Sequence, residues 1–364
     1  MAKLLKKNTI SLLKELYYDP ERKSFVKIME DILRLTIYYE KLPRHYFDRY
    51  LFKKEVTNIK DYFPNDILYK KFKPFLNDME VKDIIENKLY FDFYYRQFNI
   101  SLPVIQMYNH KKMFVFNKKN IEINNEFEFK ALLLEVFLKS QLIESIIIKR
   151  TYGSYGGNKV FIISRHQLEA NNEIIAYLYS EVCQAGFLFQ EMIKQHSELN
   201  LLNPSCLNTI RFDTFIDKDG QIDIISGYLR MSISNLHVDN ISSGGCMVGI
   251  DLETGKLKRD GFSSIGTFGV KPITKHPITN TIFEGFEIPF FEEAKNLVLK
   301  AASCMPGLRL IGWDVGIGEQ GAILVEGNSD YGISGNDHTD GGYRKNPIFR
   351  KVLQELNYTE WLKN

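Results

Sequence analysis

"GWDVGIGEQGAILVEGN", residues Gly312 to Asn328, reads as two strand-like runs joined by a turn. Side chains alternate faces along a strand, so Glu326 and Asn328, two residues apart, point the same way. The "GEQG" between the runs, Gly318 to Gly321, suits a hairpin turn. Folding back there brings Asp314 of the first run near Glu326 and Asn328, giving three oxygen-bearing side chains on one sheet face. Hard cations such as Mg2+ take oxygen ligands of this kind, with phosphate and water completing the shell. A polar hairpin facing solvent has the same pattern, so the rest of the chain has to decide.

Upstream of the hairpin, "FFEEAKNLVLKAASCM" (Phe290 to Met305) is amphipathic at helical spacing. Further back, "SCLNTIRFDTFI" carries Arg211 inside a strand-like run, where a charge needs a partner. That partner is either Asp213 or another carboxylate, or a phosphate, whose geometry the guanidinium fork matches. "HVDNISSGGCMVGIDL" puts Asn240, Ser242, Ser243, Gly244 and Gly245 in a loop that either closes over a phosphoryl group or simply turns the chain.

A second informative stretch is "IIIKRTYGSYGGNKVFII". A buried-type strand delivers Lys149, a loop follows with Gly153, Gly156 and Gly157, and then another strand. Glycines let backbone N–H groups approach phosphate oxygens, and a lysine supplies the compensating charge. The loop is neither a P-loop nor a dinucleotide-binding turn, because a strand and not a helix follows it. An ordinary glycine hairpin is the competing reading. "FLFQEMIKQ" (Phe187 to Gln195) then ends a strand in polar residues, as a hinge does.

The 364 residues suffice for two or three domains, and 44% hydrophobic with 25% charged residues is ordinary for a globular chain. A net charge of +2 gives no reason to expect nucleic acid. Residues 1–60 carry 14 Lys/Arg against 8 Asp/Glu, an excess of +6. Such a basic, helix-patterned front end could touch anionic lipid or a partner, or be a solvated face. Apolar residues recur there at helical spacing, as at Phe25, Ile28, Met29, Ile32, Leu33 and Ile37, and Pro20, Pro43, Pro64 and Pro74 punctuate short helices. The cysteines, Cys183, Cys206, Cys246 and Cys304, form no C-x-x-C pair, which argues against a zinc site or disulfide scaffold. With no signal-peptide pattern in "MAKLLKKNTISLLKELYYD" and no run near the roughly 20 apolar residues of a membrane span, the expectation is a cytoplasmic protein. Strand runs with hairpin turns and interspersed helices predict α+β layers, not a regular βαβ array.

The order of these parts, with "LNTIRF", "VDNISSGG", "HPITNTIFEGFEIPFFEEA" and the opening stretch, resembles the ATP-grasp superfamily. Within it, the chain is most similar to the sugar-transfer associated ATP-grasp proteins of polysaccharide gene clusters, over roughly residues 80–345. The resemblance implies two α+β subdomains sandwiching ATP, preceded by a helical N-terminal region. The boundaries would be a helical region at 1–78, a leading segment at 79–112, a lid subdomain at 113–194, a catalytic subdomain at 195–345 and a closing helix at 346–364. ATP and one or two Mg2+ ions are the implied cofactors, with Asp314, Glu326 and Asn328 as metal ligands. Lys149 and Lys88 would reach the nucleotide, and Tyr152 to Gly157, with Gly153, Gly156 and Gly157, would be the lid over its phosphates. Gln190, Glu191 and Ile193 would edge the adenine, and Glu198, or His196 in its place, would meet the ribose. Asn240, Ser243 and Gly244 would close on the phosphates, and Arg211 would face the γ-phosphate or the acyl phosphate.

One departure stands out. Many ligases of this fold carry an arginine two residues before the metal-binding Asp, where this chain has Gly312, so either Arg211 or Arg230 supplies that charge or turnover is poor. The implied activity is an ADP-forming carboxylate–amine ligase working through an acyl phosphate, joining an amino acid to a sugar acid in surface polysaccharide assembly. A phosphotransferase of the same fold and a non-catalytic, nucleotide-binding partner of a glycosyltransferase are the alternatives. The substrates would be small or sugar-linked carboxylates and amines, with no nucleic acid, and the basic front end would touch membrane or glycosyltransferase. "NSDYGISGNDHTDGG" (Asn328 to Gly342) is expected to line the acceptor pocket, with Asp337, His338 and Asp340 either a second metal site or a hydrogen-bonded loop.

Overall fold

A computed structural model describes residues 16–139, 143–153, 159–233, 245–263 and 272–362. The strands form two six-stranded sheets, and every pairing in them is antiparallel. The first sheet comprises β1 (Ile105–His110), β2 (Met113–Phe116), β3 (Lys119–Glu122), β4 (Ser145–Arg150), β5 (Val160–Ser164) and β6 (Gly186–Glu191), in the order β3-β2-β1-β6-β4-β5. The second comprises β7 (Thr209–Ile216), β8 (Ile222–Ser232), β9 (Gly245–Ile250), β10 (Leu257–Ser263), β11 (Leu310–Gly318) and β12 (Gly321–Asn328), in the order β10-β9-β8-β7-β11-β12.

Helices cover these sheets. We label those used below α1 (Phe25–Tyr39), α2 (Lys82–Glu86), α3 (Lys88–Arg96), α4 (Glu126–Lys139), α5 (Asn172–Val182), α6 (Ser197–Leu202), α7 (Phe291–Ser303), α8 (Ser334–Asp340) and α9 (Pro347–Glu355). Local sequence explains several starts. Asn87 caps α3 by accepting the N–H groups of Leu89 and Tyr90, and Asn346 caps α9 with Pro347 at its first position.

Three apolar cores follow from strand alternation. Ile146, Ile148, Phe187 and Phe189 pack one face of the first sheet against α4 and α5. On the second sheet, Phe212, Ile210, Trp313 and Val315 face α7, meeting Ala294, Val298 and Ala301. The opposite set, Phe215, Ile225 and Leu310, joins the N-terminal helices and α9 in a third core. Both faces of this sheet are therefore covered at its centre, and β7 and β11 are buried along their whole length.

The α+β class read from the sequence is the one adopted. Two elements differ from that reading. Residues 257–263, "LKRDGFS", form β10 although charge and glycine hide the strand pattern. The stretch expected as a loop after the hairpin contains a helix, α8, held by tertiary contacts despite a composition of weak helix formers.

Candidate active site

The hairpin register decides which side chains meet. Asp314 lies opposite Glu326 and Gly312 opposite Asn328. The ladder shifts between Asp314 and Val315, whose partner is Leu324, so Val325 is the extra residue of a β-bulge. Without it Val325 would oppose Asp314, and Glu326 would be one position away. Bulges commonly re-aim a side chain in this way beside functional sites.

Asp314 is fully buried and sits between Arg211 of the adjacent β7 and Arg230 of β8, one strand further on. Arg211 Nε and Nη2 donate to its Oδ1 and Oδ2 at 2.5 and 3.1 Å, and Arg230 Nη2 lies 2.8 Å from Oδ2. Thr209 holds Arg230 in place, with its Oγ1 accepting from Nε and Nη2 at 3.0 and 2.7 Å. Burial alone would raise the Asp314 carboxyl, but the charges of Arg211 and Arg230 outweigh it and hold the group below the usual carboxylate range. Of the two readings for Arg211, the carboxylate partner is the one present, and it is Asp314, not Asp213.

Glu326 is paired with Lys88 at 3.1 Å. Burial would lower the Lys88 ammonium, but the Glu326 carboxylate raises it past its ordinary value. Arg211, Arg230 and Lys88 stand against Asp314, Glu326 and the neighbouring Glu86, three positive charges against three negative. Such a set offers cations to an anion and carboxylates to a metal ion side by side.

The cluster also retains capacity for a hard cation. A carboxylate offers about four lone-pair sites; Asp314 meets both guanidinium groups and the Glu326 side chain, so the open sites lie mainly on Glu326, which Lys88 also engages. Two carboxylates and the amide oxygen of Asn328 are the oxygen donors that Mg2+ takes. The Asn328 amide nitrogen is buried and has no hydrogen-bond partner among the described residues, which leaves it to donate to a phosphate or water oxygen. Among the described residues, no group of three or more His, Cys, Asp or Glu is placed to hold a metal. Two carboxylates and an amide are the donors here.

Asn328 is anchored by Glu86, a residue the sequence did not flag. Glu86 Oε1 accepts from Ser329 N and Oγ at 2.9 and 2.6 Å and from Asp330 N at 3.3 Å, tying the end of β12 to α2. Glu86, Lys88, Gly153, Glu326 and Asn328 line one small cleft. The glycine loop thus starts beside the acidic hairpin, fixed by Lys88 N donating to Thr151 O at 2.8 Å. Lys149 shares a face of the first sheet with Ile147, Leu188 and Gln190, because Lys149 pairs with Leu188 and Ile147 with Gln190. That face is the one turned away from the α4–α5 core.

The remaining candidates are spread more widely. Glu191 lies opposite Ile146, so its side chain leaves the sheet on the face opposite Gln190, and its N–H donates to Val104 O. Ile193 is half-buried after β6, while Glu198 is exposed in the first turn of α6, its N–H donating to His196 Nδ1. Tyr152 is exposed, with its hydroxyl 3.5 Å from Asp83 Oδ1. Gly156, Gly157, Asn240, Ser243 and Gly244 lie outside the described residues. Asp337, His338 and Asp340 turn to three different partners: Arg49, the Asp48 carbonyl, and Ser226 with Lys258. Of the two readings offered for them, hydrogen bonding is the one the contacts support.

The family described as sugar-transfer associated ATP-grasp matches residues 68–342. The chain belongs to that family. Its fold is the ATP-grasp fold preceded by a helical N-terminal region. Among solved structures this sugar-transfer associated ATP-grasp chain is similar to a biotin carboxylase from Campylobacter jejuni, 10% identical, covering 82% of this chain and 51% of that one with a TM-score of 0.47. D-alanyl-alanine synthetase A from Vibrio cholerae is 12% identical over 75% of this chain and 66% of its own, TM-score 0.42. N5-carboxyaminoimidazole ribonucleotide synthetase from Thermotoga maritima is 10% identical, and the chain covers 42% of it with 68% of its own length, TM-score 0.36. The RecC subunit of the RecBCD enzyme from Buchnera aphidicola subsp. Acyrthosiphon pisum is 28% identical over 142 residues, 38% of this chain and 12% of that protein.

In this ATP-grasp chain the glycine at position 312 has a packing reason. A Cβ there would meet the Tyr331 ring at 2.8 Å, so no arginine fits without displacing that ring. Arg211 and Arg230 put guanidinium groups beside Asp314 from the other side. A separate cavity of about 250 Å3 lies between the N-terminal helices and the sheet, lined by Tyr50, Tyr62, Phe262 and His338 together with Arg49 and Lys53. Phe262 pairs with Met247 and Met247 with Arg230, so this aromatic wall shares the sheet face of the Asp314 cluster. Two strand spacings, about 10 Å, separate Phe262 from Arg230.

Proposed function

We propose that this chain is an ATP-dependent, ADP-forming ligase that joins a carboxylate to an amine through an acyl phosphate. The observation that carries the reading is the Asp314 cluster, where three cations, two carboxylates and an unpartnered amide converge beside the glycine loop. A carboxylate is a poor acyl donor because oxide leaves badly. Its oxygen attacks the γ-phosphorus of ATP, the bond to the β-phosphate oxygen breaks, and ADP leaves. The amine nitrogen then attacks the acyl carbon, the carbon–oxygen bond to phosphate breaks, and the amine gives up a proton as phosphate departs. No Ser or Cys nucleophile is required.

Arg211, Arg230, Lys88 and Lys149 would bind and orient phosphate oxygens, which is most of what phosphoryl transfer asks of a protein. Asp314, Glu326 and Asn328 would hold Mg2+, which when bound spreads the charge of the transferring group. The Ile147–Leu188–Gln190 face would receive the base, with the backbone of Glu191 and Ile193 at its edge and Glu198 near the ribose. The aromatic cavity suits a polar ring: flat faces would cover its C–H surface, and Ser263, Arg49, Lys53, Glu55 and Asp260 would meet its polar groups. With the family description, this favours a sugar acid and an amino acid as the joined pair, made in the cytoplasm for a surface polysaccharide. Among the described residues, no helix is long and apolar enough to cross a membrane.

Hydroxylamine tests the intermediate. Supplied in place of the amine, over a panel of amino acids and uronic acids, it should give a hydroxamate of the donor acid with ADP and phosphate released together. A phosphorylated product that resists hydroxylamine would instead identify a phosphotransferase. ADP release with no member of the panel would favour the nucleotide-binding partner.

A further inference from the structure

Helix α1 is apolar on two opposite faces. Ile28, Leu35 and Tyr39 are buried in the N-terminal core. On the other side Val26, Met29, Leu33 and Ile37 form a second stripe, 82, 65, 60 and 70% exposed, with Phe25 beside it at 48%. Their spacing of three, four and four residues keeps them in one line along about 16 Å of helix. A helix apolar all round is normally buried all round. Here the outer stripe is left uncovered by every described part of the chain.

Charge says what kind of surface would cover it. Residues 1–45 carry 10 Lys/Arg and 6 Asp/Glu, an excess of +4, whereas residues 46–364 carry 37 and 39, a balance of −2. Along the sequence, the positive charge of the protein is thus concentrated in the stretch that contains this helix. Lys27 and Arg34 flank the stripe and share Glu30, and Lys27 also reaches Asp31, which Lys23 holds from the far side, so three cations meet two carboxylates along that flank. Arg22 lies over the Phe25 ring, its guanidinium carbon 4.0 Å from the centroid, and Tyr17 and Tyr18 are exposed just before it. Apolar residues in one line, cations on the flank and tyrosines at the end match the layering of a membrane interface, where side chains reach the acyl boundary and charges stay among headgroups. We infer that the Val26–Ile37 face of α1 docks the protein onto the surface of an anionic lipid bilayer, lying on it without crossing it. The inference is independent of the ligase reading.

The full chain should sediment with phosphatidylserine–phosphatidylcholine vesicles about tenfold more strongly than with phosphatidylcholine alone, and the difference should shrink at high salt. Met29→Glu combined with Leu33→Glu should lower binding to the mixed vesicles at least about tenfold. Both side chains are exposed, so an unchanged melting temperature shows that the fold is intact; Met29→Gln with Leu33→Gln serves as the milder pair. Absence of sedimentation with either vesicle overturns the inference. So does a concentration-dependent dimer in light scattering that the same substitutions dissolve, which would make a second copy of the chain the occupant.

Discussion

Asp213 and Asp314 leave neighbouring strands on the same sheet face, and the protein treats their charges in opposite ways. Asp213 is two residues from Arg211 along β7, and its cross-strand partner is Gly312. Asp314 is held ionised by Arg211 and Arg230. Among the described residues Asp213 takes only the Tyr343 hydroxyl at 3.1 Å and its Oδ1 has no partner, and burial pushes its carboxyl up to about 7. The divide between them is Gly312, over which the Tyr331 ring lies. On one side the face adjoins the cleft with charges poised for an anion and a cation. On the other it is sealed by the N-terminal helices, where Lys73 sits between the Tyr69 and Tyr331 rings and burial brings it down to about 7. Guanidinium placement, not burial, separates a carboxylate held below its usual range from one pushed above it.

The comparison breaks most visibly at Asp314. Asp314→Asn removes the shared counter-charge of two buried arginines, and breaking such a pair from one side costs about 3–5 kcal/mol. Denaturant unfolding should show that loss together with abolished turnover; wild-type stability would mean that Arg211 and Arg230 find other partners. Glu326→Gln keeps shape and removes one charge. It should lower turnover by about 100- to 1,000-fold, in the range of losing one transition-state contact, with melting almost unchanged. Near-normal activity in that folded variant would take Glu326 out of the site.

A third substitution carries the contrast to the first sheet, whose cleft-facing residues are mostly apolar. Lys149→Ala should weaken ATP binding by roughly 10- to 150-fold, the worth of one charge-assisted contact, and leave AMP binding nearly intact. Equal weakening of both by calorimetry would place Lys149 away from the β- and γ-phosphates.

The acidic hairpin was legible because alternation and a four-residue turn are local properties. Glu326 and Asn328 could be put on one face from spacing alone, whereas Asp314 joins them only because the ladder shifts between Asp314 and Val315. What spacing could not supply was the bulge at Val325, since a single extra residue leaves no mark in an apolar run. Nor could it supply Glu86, which grips Ser329 across 243 positions. Arg211 was visible as a charge needing a partner, but strand order decides between Asp213 and Asp314, and strand order is non-local. Residues 334–340, rich in Ser, Gly, Asn, Asp and Thr, read as a loop because helix propensity is weak there. Gly335 fits closely beneath the Tyr228 ring, where a Cβ would come within 2.5 Å, so packing and not propensity fixes that helix.

The smallest effect belongs to Asp213, and its pH dependence gives it a sign. The folded carboxyl titrates near 7 against an ordinary 3.8, so between those values the native chain holds a proton that the unfolded chain has lost. Stability at this site therefore falls as pH rises across that window and reaches its low plateau above about 7. Asparagine does not titrate. It can accept the Tyr343 hydroxyl with its carbonyl oxygen and set its amide where the unpartnered Oδ1 now lies. At pH 5, where Asp213 is neutral in the folded chain, Asp213→Asn should lie within about 1 kcal/mol of wild type, with turnover preserved. Raising the pH to 8 should move the variant ahead of wild type, because only wild type must then release or bury a charge. Unfolding midpoints of both proteins at the two pH values measure the difference. If the variant loses ground between pH 5 and 8, Asp213 is ionised in the native chain and serves as the counter-charge of Lys73, and the opposition between the two aspartates disappears.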